Sequence, residues 1–123
     1  MEKKKILLVE DEMDLMAALR QRLEESDYDV ITASDGAEGF ESAKRDRPDL
    51  IILDLMLPKM DGYKVCGLLK KDSRYAKTPI IIFSARGQES DIRLGREMGA
   101  DAYVTKPFDP EALMEQVQKM IHS

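Results

Sequence analysis

Short apolar runs alternate with longer amphipathic stretches along this chain. Lys5–Val9, Asp29–Ala33, Leu50–Leu53, Ile80–Phe83 and Ala102–Thr105 read as five buried strands. Leu50-Ile51-Ile52-Leu53 and Ile80-Ile81-Ile82-Phe83 are continuous runs without polar alternation. That pattern suits the middle of a parallel sheet covered on both faces. The stretches between them have helical spacing. Leu15, Leu19 and Leu23 mark the apolar face of the first helix; Ala37, Phe40 and Ala43 mark the second. Val65 and Leu69, beside Cys66 and Leu68, mark the third, and Leu113, Val117 and Ile121 mark the fifth. Asp109-Pro110 supplies the fifth with an N-cap and a first-turn proline. The fourth, about Gln88 to Met98, is the weakest: mostly polar, with Gly95 inside it at a cost of about 1 kcal/mol against alanine and Gly99 as its C-cap.

Five strands alternating with five helices predict an α/β fold with a five-stranded parallel sheet. The expected order is 2-1-3-4-5 with helices on both faces, the flavodoxin-like arrangement. In it, ligands bind at the carboxyl ends of the strands. Glu10, Asp11 and Glu12 follow the first strand, Asp54 the third, Ser84 the fourth and Lys106 the fifth. Four distant segments therefore bring carboxylates, a hydroxyl and an ammonium to one rim. Carboxylates that close repel unless a cation balances them. An all-oxygen set without histidine or thiol suits a hard ion, Mg²⁺ or, as a possible substitute, Mn²⁺. A competing reading, that Asp11 and its neighbours merely cap the first helix, leaves the other groups unexplained.

A carboxylate, a divalent ion, a hydroxyl and a lysine together suit phosphoryl transfer. The carboxylate attacks in line, while the cations and the hydroxyl meet the phosphoryl oxygens. Neither nucleotide-binding glycine motif is present. Met56 stands two residues after Asp54, where an aspartate-based phosphohydrolase would carry its acid. The pattern is that of a phosphate acceptor without an acid for rapid turnover.

Composition narrows the setting. The 123 residues fit one domain, here 1–123, large enough to fold without disulfides or a structural metal. Cys66 is the only cysteine, which excludes a disulfide framework and suggests a reducing, cytoplasmic compartment. The net charge of −5 argues against direct nucleic-acid binding, and the Lys3-Lys4-Lys5 run reads as a solvated lead-in to the first strand. No apolar stretch approaches the roughly 20 residues of a membrane helix, so no membrane association is expected. His122, the lone histidine, carries no expected role. The eight methionines read as core filler and Cys66 as a small buried hydrophobe. Asp61-Gly62 reads as the turn that starts the third helix.

Four motifs then carry a resemblance. Val9-Glu10-Asp11-Glu12, Asp54-Leu55-Met56-Leu57-Pro58-Lys59-Met60-Asp61-Gly62, Phe83-Ser84-Ala85 and Gly99-Ala100-Asp101-Ala102-Tyr103-Val104-Thr105-Lys106-Pro107-Phe108 together resemble the receiver domain of two-component response regulators, from about Lys4 to Ile121. The resemblance implies that Asp54 accepts a phosphoryl group from the phosphohistidine of a histidine kinase or phosphotransfer protein. It implies Mg²⁺ held by Asp11 directly, by Glu10 mainly through water, by Asp54, and by the Met56 backbone carbonyl. Ser84 and Tyr103 are then switch residues, Lys106 pairs with the phosphoryl oxygens, and the Lys106-Pro107 bond is cis. Glu10 stands where many members carry aspartate. Met56 and Arg86 occupy the positions that tune phosphoryl lifetime, Met56 by screening water and Arg86 by holding the anion.

On that resemblance the chain is a signalling switch and not an enzyme beyond its own phosphorylation and slow dephosphorylation. Phosphorylation is expected to remodel helix 4, strand 5 and helix 5, and a kinase to dock on helix 1 near Met13 and Met16. The sequence ends soon after helix 5, which suggests either a stand-alone receiver with a downstream effector protein or a domain separated from its output domain. Helix 5 lacks the arginine-bearing pattern of winged-helix transcription factors, tilting the expectation toward a stand-alone protein or another output class. The rivals are a metal-dependent phosphohydrolase and a pseudo-receiver that binds partners without taking phosphate.

Overall fold

The apolar runs form the strands expected of them, and two extend one residue further. In the computed structural model, which describes residues 3–107 and 109–122, the strands are β1 (Lys5–Val9), β2 (Asp29–Ala33), β3 (Leu50–Asp54), β4 (Ile80–Ser84) and β5 (Ala102–Thr105). Asp54 and Ser84 are thus the last strand residues, held in the ladder. All pairings are parallel, in the order β2-β1-β3-β4-β5. The five residues of β3 and of β4 are all buried, as continuous apolar runs in the middle of a sheet require, while edge strands β2 and β5 are partly exposed. Phe108, last in the fourth motif, lies outside the described residues.

The helices are α1 (Met13–Glu25), α2 (Gly36–Asp46), α3 (Gly62–Lys71), α4 (Glu89–Glu97) and α5 (Pro110–Ile121). Each of three starts has a visible cause. Asp35, Asp61 and Asp109 accept backbone N–H bonds at the first turns of α2, α3 and α5. Because successive strand residues point to opposite faces, two cores form. On one face Met16, Leu19 and Leu23 of α1 and Leu113, Val117 and Ile121 of α5 pack on Ile6, Leu8, Leu50, Ile52, Ile81 and Phe83. On the other, Ala43, Val65, Cys66 and Leu69 pack on Leu7, Val9, Ile51, Leu53, Ile80 and Ile82, with Leu94, Met98 and Tyr103 against them.

Several sequence expectations change here. Met16 replaces Leu15 as a fully packed position of α1, because the helix turns its stripe slightly away from the four-residue spacing. Leu68 points outward from α3 and is 40% exposed. Among the described methionines Met16 is buried in the core and Met60, Met98, Met114 and Met120 pack against it half-buried, as core filler does, whereas Met13 and Met56 are exposed. Cys66 is the small buried hydrophobe expected, its thiol donating to the Met98 carbonyl at 3.5 Å. Burial pushes that thiol up to about 11.

The short fourth helix is better built than its polarity suggests. Asp91 accepts from the Gln88 backbone N–H at 3.2 Å. At the other end Gly99 N–H donates to the Arg96 carbonyl and Ala100 N–H to the Gly95 carbonyl, with Gly99 at φ +97°, a Schellman closure that needs glycine. Gly95, the apparent weak point, is buried. A Cβ there would lie 2.9 Å from Tyr103 Cδ2 and 3.2 Å from its Cε2. The helix forgoes propensity so that the Tyr103 ring can lie against its backbone.

Gly95→Ala should therefore not stabilise the protein. The propensity gain of about 1 kcal/mol is set against overpacking of about 1–3 kcal/mol, leaving a net loss near 1 kcal/mol in urea unfolding. A full 1 kcal/mol gain would mean the ring does not depend on that space.

Candidate functional site

Parallel pairing puts every strand's carboxyl end on one edge, and register decides which residues meet there. Val9 pairs with Leu53 and Asp54 with Phe83, so Glu10 emerges beside Asp54. Ser84 pairs with Thr105, and the Lys106 N–H donates to the Ser84 carbonyl at 2.8 Å, placing Lys106 over the end of β4. The Lys106-Pro107 bond is cis.

Alternation then sorts these residues between the two faces. Asp54 follows the parity of Leu50 and Ile52, and Glu10 that of Ile6 and Leu8, toward the α1/α5 face. Lys106 joins them, its Nζ 4.7 Å from the centre of the Phe83 ring. Nζ donates to Glu10 Oε1 and to Asp54 Oδ2, at 3.1 Å each. The remaining oxygens are engaged as well: Glu10 Oε2 accepts from the Glu12 N–H at 2.8 Å, and Asp54 Oδ1 from the Met56 N–H at 3.2 Å. Glu10 is 0% exposed and Asp54 5%. Asp11 is exposed, yet one oxygen from each of Glu10, Asp11 and Asp54 can lie within 4.8 Å of the others. These carboxylates are not helix caps, since Glu12 holds the N-cap position of α1 without a side-chain bond.

The electrostatics follow from burial. Desolvation raises the Glu10 carboxyl above its usual range; the Glu12 N–H and Lys106 resist this, and the neighbouring Asp54 charge adds to it. For Lys106, desolvation alone would lower the ammonium, but its bonds to Glu10 and Asp54 and their charges outweigh it and the net shift is upward. The donor set is all oxygen and more negative than one ammonium balances, which fits a hard divalent cation.

Ser84 and Tyr103 form a second group. Ser84 has the parity of Ile80 and Ile82, toward the α3/α4 face where Tyr103 also packs. The Ser84 hydroxyl, fully buried, accepts from the Arg86 N–H at 3.2 Å, and the Tyr103 hydroxyl donates to the Arg86 carbonyl. Burial, then the neighbouring Tyr63 hydroxyl, holds the Tyr103 hydroxyl protonated well beyond its ordinary range. The Arg86 guanidinium, expected above the acceptor, lies 3.0 Å from Asp91 on α4 and 5.8 Å from the centre of the Tyr63 ring. Met56 is 60% exposed. Sequence reasoning did not single out Tyr63 or Asp91. The only signal in the chain was their place in the first turns of α3 and α4, flanking the site loops.

A family model for the response regulator receiver domain matches residues 6–118. The chain is 47% identical over 118 residues to the alkaline phosphatase synthesis transcriptional regulatory protein PhoP of Bacillus subtilis, covering 96% of this chain and 48% of that protein. It is 42% identical over 117 residues to the DNA-binding dual master transcriptional regulator RpaA of Synechocystis, covering 95% and 48% respectively. A putative response regulator from Chloroflexus aurantiacus superposes with a TM-score of 0.93 at 30% identity, covering 99% of this chain and 100% of that one. The BeF3-activated N-terminal receiver domain of Klebsiella pneumoniae RstA gives 0.90 at 29% identity, covering 98% and 100%. The chain spans about half the length of the curated relatives it matches.

Removing the Lys106 ammonium leaves two buried carboxylates facing each other. Lys106→Ala should cost about 3 kcal/mol at pH 7 in metal-free urea unfolding, the low end for a buried pair because the ammonium is partly exposed. The cost should shrink toward pH 5, because Glu10, already raised, takes up a proton in the folded state and relieves the repulsion. A cost that is constant with pH would contradict this account.

Proposed function

The chain belongs to the response regulator receiver domain family, and we propose that within it Asp54 is the phosphoryl acceptor of a signalling switch. The supporting observation is the Lys106 ammonium seated 3.1 Å from both Asp54 and Glu10, beside a three-carboxylate cluster. A phosphoryl group on Asp54 would meet that ammonium without any rearrangement of the strands.

A carboxylate oxygen of Asp54 attacks the phosphorus of a phosphohistidine on a histidine kinase or phosphotransfer protein. The phosphorus–nitrogen bond breaks, its electron pair stays on the imidazole, and solvent supplies the proton. Lys106 neutralises phosphoryl oxygens as they arrive. Glu10, Asp11 and Asp54, with the Met56 carbonyl, are the groups that would hold Mg²⁺, or Mn²⁺ in its place. Bound there, the ion supplies charge neutralisation at the transferring group. Ser84 supplies a hydroxyl to the same oxygens, and to reach them it gives up its bond from the Arg86 N–H. Met56, exposed beside the acceptor, screens it from attacking water. Arg86 leaves Asp91 if it is to hold the anion.

The phosphorylated state acts through the surface of α4, β5 and α5. The kinase side uses α1, where exposed Met13 offers an apolar contact near the site. Among the described residues no helix is long and apolar enough to cross a membrane. The named roles of the relatives weigh toward transcriptional control as the output, against the tilt that the arginine-poor α5 suggests.

Incubation with acetyl phosphate and Mg²⁺ should add one phosphoryl group by intact mass, and Asp54→Ala should abolish it. Turnover without accumulation would indicate a phosphohydrolase, and no reaction a pseudo-receiver. The phosphorylated form should decay faster in Met56→Asn; an unchanged lifetime would remove Met56 from the account.

A further inference from the structure

Separate parts of Arg86 touch both ends of the second group. Its backbone N–H donates to the Ser84 hydroxyl at 3.2 Å, and its carbonyl accepts from the Tyr103 hydroxyl. Its guanidinium pairs with Asp91 at 3.0 Å, above the face of Tyr63. Asp91 is no ordinary surface carboxylate: its side chain is 12% exposed, and its other oxygen accepts the Gln88 N–H at the start of α4. The Tyr63 hydroxyl in turn donates to the Asp91 carbonyl at 2.9 Å, tying α3 to the same turn. A strand-end hydroxyl, a strand aromatic and two helix starts thus converge on one loop residue.

We infer that the Arg86–Asp91 pair, seated on Tyr63, is a latch that holds the start of α4 in its unphosphorylated position, making Arg86 a positioning residue for the switch. The inference rests on the reading of Asp54 as phosphoryl acceptor, which supplies the trigger. When Ser84 turns to the phosphoryl oxygens, the Arg86 N–H loses its acceptor and the loop is free to move. That movement draws on the two other contacts of Arg86. A displaced carbonyl pulls on Tyr103, and a displaced guanidinium releases Asp91. The first turn of α4 then keeps its backbone bonds, the Asp91 cap on Gln88 and the Tyr63 hydroxyl, but no ion pair, in a helix of nine residues that is too short to be stable by itself. A partly exposed pair is strong enough to bias such a turn and weak enough to be overcome by one phosphoryl group.

The test is amide hydrogen exchange across α4, with and without acetyl phosphate and Mg²⁺, in the full chain. In unphosphorylated Arg86→Gln, exchange in residues 89–92 should rise about three- to tenfold, with the core strands unchanged. Asp91→Asn, which keeps an oxygen for the Gln88 N–H, should give the same rise, and the double variant no more than either alone. Arg86→Lys should restore part of the protection by keeping the charge. Phosphorylation should loosen this turn in the parent protein and add little in Arg86→Gln. Unchanged exchange in unphosphorylated Arg86→Gln, additive losses in the double variant, or an undiminished response to phosphorylation would each overturn the latch. Intact mass, read in parallel, separates the two claims. Absence of a phosphoryl group on the parent protein removes the acceptor reading, whereas the unphosphorylated comparison still judges the pair.

Discussion

The Lys106 ammonium between Glu10 and Asp54 is the interaction on which the site depends. Two buried carboxylates at adjoining strand ends are tolerable only with a cation between them. The ammonium supplies one positive charge against three nearby carboxylates, which leaves the cluster short of positive charge and receptive to a divalent ion. The same position makes Lys106 the first group that a phosphoryl on Asp54 would meet. The structural role of Lys106 and the chemical role proposed for it therefore fall on one side chain.

The sheet divides the site into two halves. Along β4, Phe83 lies beneath the Lys106 ammonium, while the next residue, Ser84, faces the side where Tyr103 packs. A step of one residue changes the face, so β4 stands between the charged group and the hydroxyl group. Any signal from the first half to the second has to pass the end of that strand. The loop just beyond it is where the Ser84, Tyr103 and α4 contacts gather. An exposed loop can move at low cost, whereas β3 and β4, buried along their whole length, cannot.

The fourth helix shows how a local reading can misjudge an element. Its polar sequence and internal glycine suggest a marginal helix. Its ends are closed by Asp91 and by the Gly99 turn, and its glycine is the surface against which Tyr103 lies. Helix propensity was exchanged for close approach of an aromatic ring, and neither partner alone reveals that exchange.

Apolar periodicity by itself determined the strand positions, the parallel sheet and the rim to which Glu10, Asp11, Asp54, Ser84 and Lys106 are delivered. Strand spacing and two-sided burial are local properties of the chain, and continuous isoleucine and leucine runs state them directly. Only the tertiary structure decided how the rim is partitioned. Register placed Glu10 beside Asp54, alternation turned Ser84 to the opposite face, and packing of α3 against α4 brought Tyr63 and Asp91 to Arg86. The contacts of Asp91 join it to residues 5 and 28 positions away, and those of Lys106 reach 52 and 96 positions back to Asp54 and Glu10. No local pattern encodes them, because each partner satisfies its own segment's rules whether or not the other is present.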